Sequence, residues 1–202
     1  PRARGRSQAM LGTYYLNASK LPQAETHFRR SLTEDSLNVN ALSGLGLALA
    51  RSGRLDEAER PLAQVAALKP TVPQYRRDLA LLLFEREHWG AAAEQLEIAL
   101  ALAPADVPSW LSLADCERRM GHADSAAFAL RAGLEHNPGR AELSSALADA
   151  YALWVAASGQ SGDVDAFARA WAAFVNGFPD DSRVTAWRPR AEALLRRAAA
   201  RR

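Results

Sequence analysis

Residues 42–62 read LSGLGLALARSGRLDEAERPL, two helical patterns joined by a short break. Leu42, Leu45, Gly46 and Leu49 recur at i, i+3, i+4 and i+7, which is one face of a helix. Ser52-Gly53-Arg54 ends that pattern, with a glycine suited to the left-handed conformation that closes a helix. Asp56 is then placed to cap a second helix, and Asp124 takes the same place further along. The stretch therefore predicts a pair of antiparallel helices.

Moving outward, the pair recurs. Leu11, Leu45, Leu79, Leu113 and Leu147 fall at an unbroken spacing of 34. Each is followed by a small residue: Gly12, Gly46, Ala80, Ala114 and Ala148. Twelve residues later comes another small one (Ala24, Ala58, Ala92, Ala126), and four further a large apolar one (Phe28, Leu62, Leu96, Leu130). Pro70, Pro104 and Pro138 close successive units, because proline cannot continue a helix. Small residues in paired columns let two helices approach closely, and the large residue fills the space beside them. Such self-similarity is the signature of a repeat architecture.

The 34-residue period with its Leu-Gly, Ala, Phe/Leu and Pro columns resembles the tetratricopeptide repeat family. The resemblance covers residues 5 to about 181. Ser36 stands in the Pro column of the first unit, Gln8 where the family favours Trp, and Glu117 where it favours Tyr; the fourth unit has both Trp110 and Pro138. The resemblance implies an all-α, right-handed α-solenoid of about five two-helix units plus a C-terminal capping helix, all in one domain. The expected units are 5–38, 39–72, 73–106, 107–140 and 141–181, with the cap at 182–202. In the fifth unit the second half is displaced by seven residues, placed near 155–161. The apolar run Tyr151–Ala157 predicts a first helix about one turn longer there. Pro189 suits the first turn of the cap, with Ala191, Leu194, Leu195 and Ala198 as its apolar stripe.

Composition agrees with a folded chain: 49% hydrophobic and 24% charged over 202 residues. The formal charge of +2 is unevenly spread. Residues 1–6 carry +3 and residues 182–202 carry +6, which leaves −7 for residues 7–181. A nucleic acid needs a basic stripe to track its phosphates, and the acidic body argues against one. Only Lys20 and Lys69 are lysines among many Arg and Ala, a balance that fits a GC-rich, bacterial coding bias. No run approaches the ~18 apolar residues of a membrane span. No signal peptide is visible from Pro1 onward, and a start at Pro1 reads as a processed or trimmed terminus; the compartment stays open, with the cytoplasm favoured.

Chemistry is sparse. Cys116 is the single cysteine and sits in a packing column, so a buried, inert thiol is expected. His27, His88, His122 and His136 fall in different units without ligand spacing, so no metal, cofactor or catalytic residue is expected. Ser43-Gly44-Leu45-Gly46 lies within a helix and reads as packing.

What remains is a surface. In the family the first helices line the inner, concave face. The residues outside the packing columns there begin with Thr13, Leu16 and Asn17. The candidate peptide-binding set follows: Leu47, Arg51, Arg77, Leu81, Phe84, Leu111, Asp115, Arg118 and Asp149. Its centre is apolar and its border charged, as a peptide or helix groove requires. A family clamp for C-terminal carboxylates is missing, since Ala9, Thr13, Gly44, Gln74 and Asp78 occupy its places. The expected function is a protein-protein interaction scaffold or adaptor without enzymatic activity, of open oligomeric state. The alternatives are an RNA-binding helical-repeat protein or the regulatory arm of a larger enzyme.

Overall fold

The computed structural model describes residues 2–158 and 161–200. Every regular element among them is helical. The chain divides into two compact units, Pro1–Leu102 and Ala103–Arg202. The first holds α1 (Arg2–Asn17), α2 (Leu21–Glu34), α3 (Val39–Arg51), α4 (Leu55–Leu68), α5 (Pro73–Glu85) and α6 (Trp89–Leu102). The second holds α7 (Val107–Arg119), α8 (Ala123–His136), α9 (Ala141–Ser158), α10 (Ser161–Gly177) and α11 (Ser182–Ala199). Within each unit, consecutive helices pack on one another.

The columns read from the sequence form the cores. Ala24, Ala58, Ala92 and Ala126 are buried, as are Phe28, Leu62, Leu96 and Leu130. Phe28 shows how tightly the pairs close. A Cβ added to Gly12 would lie 2.6 Å from its ring, and one added to Gly44 would lie 2.1 Å from it. The ring thus sits between two helices that meet it as bare backbone.

α1 departs from this pattern. Leu11 and Tyr14 are exposed, although Leu45 and Ala48 in the same columns of α3 are buried. α3 packs on α1, α2, α4 and α5, whereas α1 packs mainly on α2 and α3 among the described residues. Leu16, expected on the inner face, is buried instead at 6% exposure, while Thr13 and Asn17 are exposed.

The turns inside each pair share one geometry. Ser19, Gly53, Glu87 and Gly121 stand 34 apart and all have positive φ, at 56°, 75°, 61° and 86°. The next amide in each case reaches back five residues: Lys20 N–H to Tyr15, Arg54 to Leu49, His88 to Leu83 and His122 to Glu117. This left-handed closure satisfies carbonyls at the helix end. The residue after it becomes the N-cap position, so Arg54 and His122 sit there without a side-chain cap. Asp56 and Asp124 are therefore not caps; they lie in the first turn, where their charge still favours the helix dipole. Asp56 instead takes a 2.7 Å ion pair from Arg86.

In the fifth pair the equivalent position is Val155, and a β-branched residue resists positive φ. Helix α9 runs through it for 18 residues, and Val155 is buried. Gly159 and Gln160, part of the expected insertion, lie outside the described residues. α11 begins at Ser182, so Pro189 falls inside the helix rather than in its first turn. Val184 and Ala191 seat α11 in a core cluster with Phe167, Trp171 and Phe174.

Candidate functional site

Of the side chains with potential chemistry, Cys116, His27 and His136 are engaged with neighbours, and His88 and His122 are exposed. Cys116 is buried, and that burial pushes its thiol up to about 11, with Asp115 and Glu117 adding to the rise. His27 stacks on Tyr15 and pairs with Gln8 at 2.7 Å. His136 stacks on Trp110, whose indole N–H donates to the Pro104 carbonyl. Among the described residues no three His, Cys, Asp or Glu side chains are grouped to hold a metal.

The expected surface residues of the first compact unit lie on α3 and α5, which touch directly. Leu81 is 46% exposed, Arg51 is exposed, and Leu47, Arg77 and Phe84 are half-buried. Arg77 donates to Gln74, which in turn donates to Asp78 at 2.6 Å. Burial raises the Asp78 carboxyl, and this hydrogen bond opposes the rise.

In the second compact unit the expected residues converge. Leu111, Asp115 and Arg118 from α7 and Asp149 from α9 line one cavity of about 610 Å³. Leu153 joins them, and the small Ala114, Ala146 and Ala150 leave the space open. Asp115 accepts from Arg118 one turn away. Asp149 is half-buried, and burial pushes its carboxyl up to about 6 despite the nearby guanidinium groups of Arg190, Arg183 and Arg118.

Two wall residues were not expected, Trp187 and Arg190 of α11. Arg190 lies over the Trp187 ring, 4.7 Å from its centroid. A signal for them exists in the sequence. Trp187 follows Ala146 by 41 residues and Arg190 follows Asp149 by 41, the period plus the seven-residue displacement. α11 thus carries the register of a further first helix, and Asp115, Asp149 and Arg190 form one row. Trp187 and Arg190 lie within the segment expected as the C-terminal cap.

A tetratricopeptide repeat family model matches residues 9–73 and 77–127. The chain belongs to the tetratricopeptide repeat family. Its class is that of protein-interaction repeat scaffolds, which are generally non-catalytic. A curated relative, Superkiller protein 3 of Schizosaccharomyces pombe, is 31% identical over 110 residues, which are 54% of this chain and 8% of that protein. The chain therefore spans a small fraction of that relative. The fold is shared with MamA, at a TM-score of 0.75 and 19% identity, covering 89% of this chain and 94% of that one. It is also shared with YrrB, a tetratricopeptide protein with an unusual peptide-binding site, at a TM-score of 0.69 and 17% identity, covering 88% of each chain. Among the described residues no helix is long and apolar enough to cross a membrane.

Proposed function

We propose that this protein is an interaction scaffold or adaptor that receives a peptide or partner helix on the faces of its first helices, without a chemical step. The observation that carries the reading is the open cavity between α7, α9 and α11. Packing-column residues such as Ala114, Ala126 and Leu130 contribute to its lining, while Leu111, Asp115, Arg118, Asp149 and Leu153, outside those columns, combine apolar walls with a few charged groups. The exposed Leu81 beside Phe84 on α5 offers a second apolar patch in the other compact unit. YrrB, with the same fold and a peptide-binding site, lends support by analogy. The charge of −7 over residues 7–181 makes a nucleic acid a poor partner.

The test is selection of a random peptide library on the immobilised chain, followed by fluorescence anisotropy with the recovered peptides. Binding energy at such a surface concentrates in a few anchors. Leu111→Arg should cost about 2 kcal/mol or more for peptides held by the second compact unit. Phe84→Ala should do the same for those held by the first. Glu97→Arg, an exposed site on the second helix α6, should change neither. Loss of all binding with Glu97→Arg, and none with the other two, would refute the proposal.

A further inference from the structure

We propose that the cavity between α7, α9 and α11 selects a peptide segment that sets a Lys or Arg side chain against Asp149, with a neighbouring apolar side chain against Leu111 and Leu153. This rests on the reading of the first-helix faces as a peptide-binding surface and names the chemistry of the partner.

The argument is one of an unmatched hydrogen-bond acceptor. Asp115 is paired with Arg118. Arg183, just behind the cavity, is held by Asp181 at 2.6 Å and donates to Ser145 at 2.9 Å. Arg190 is stacked on Trp187. Asp149 differs from them all: it is half-buried, the guanidinium groups of Arg190, Arg183 and Arg118 act on it only through space, and among the described residues no group donates a hydrogen bond to it. A desolvated carboxylate without a donor is costly, and an incoming ammonium or guanidinium group supplies both the charge and the hydrogens.

An acidic side chain fits worse. It would approach two carboxylates, Asp115 and Asp149, and would have to draw Arg118 or Arg190 out of contacts already made. The apolar part of the ligand has its own place. Leu111 and Leu153 are half-buried, and Ala114, Ala146 and Ala150 between them keep the wall low. A volume of about 610 Å³ holds more than one side chain.

The groups facing Asp149 decide its response to pH. They are Asp115 and Arg118 from α7, Arg183 and Arg190 from α11, and the apolar Trp171 and Phe174 from α10. A change in binding between about pH 7.5 and about pH 5 that is present in the parent protein and absent in D149N would report Asp149 itself.

The experiment uses the full chain and the peptides recovered by the selection above, restricted to those whose binding Leu111→Arg abolishes. Their sequences should be enriched in Lys or Arg beside Leu, Ile or Phe. Replacing that basic residue by Ala should weaken binding about tenfold, Asp149→Asn should weaken the parent peptide by a similar factor, and the two changes together should add little more. Binding should also fall with pH in the parent protein and not in D149N. Circular dichroism should show D149N fully helical. Peptides that depend on Leu111 yet show no basic preference, or prefer Asp and Glu, would overturn this inference and leave the scaffold reading standing. A library that yields no binder would overturn both.

Discussion

Gly44 offers the sharpest test of how the repeat columns work, because two physical effects predict opposite signs. It lies inside α3, where glycine costs about 1 kcal/mol relative to alanine through its greater loss of conformational freedom. On propensity alone Gly44→Ala should stabilise the protein. The structure reverses this. The new Cβ would stand 2.1 Å from the tip of the Phe28 ring, far inside van der Waals contact. An exposed ring could swing aside, but Phe28 is fully buried, and the backbone at Gly12 on α1 crowds the same ring. The ring cannot retreat from one helix without meeting the other. Overpacking of this kind costs about 1–3 kcal/mol, so Gly44→Ala should be destabilising by about 1 kcal/mol net. Phe28→Leu, which installs the residue of the other units at this column, removes the obstructing ring atoms. In that background Gly44→Ala should become neutral or stabilising. Urea unfolding of the parent, the two single variants and the double variant measures the coupling. A rise in stability for Gly44→Ala with Phe28 present would refute the reasoning.

Three further outcomes are expected. Glu87 adopts the positive φ that Gly53 and Gly121 adopt in the same column, at a cost of about 1 kcal/mol; Glu87→Gly should raise the urea midpoint, whereas Gly121→Ala should lower it. The Asp149 carboxyl rises from 3.8 to about 6, so the folded protein keeps a proton that the unfolded chain loses across that window, and stability falls as pH rises through it. Asp149→Asn should remove this dependence and stabilise the protein above the window by about 1–2 kcal/mol, after discounting a partly exposed site; thermal melts at pH values on either side of the window will show whether the slope disappears. Removal of residues 182–202 should expose Trp171, Phe174 and their cluster and promote aggregation, seen in sedimentation as loss of monomer; a monomer with unchanged melting would contradict the role of α11 in that core.

The sequence by itself determined the helix pairs, because the information that builds them is local and periodic. Ala24, Ala58, Ala92 and Ala126 are buried at the spacing at which they were written, and the large residues four further on fill the space beside them. Even the longer α9 was legible, since an apolar run replaced the turn, although its cause, Val155 in a column that needs positive φ, emerged only from the dihedrals of the other units. The candidate surface was legible only in part. Position within a helix placed Leu111, Asp115, Arg118 and Asp149 together, but it misassigned Leu16, whose burial depends on how its neighbours pack, and it misread Asp56 as a cap. Trp187 and Arg190 were left out because their register is broken by seven residues and an interior proline, and a shifted period no longer predicts a face. What only the tertiary structure decided is which charges are already matched. Arg118 takes Asp115, Arg183 takes Asp181, and among the described residues no group donates to Asp149 at its half-buried position. The two pairs are local in the chain, but the desolvation of Asp149 depends on how α7, α9 and α11 close around it, and no pattern along the chain encodes those distances.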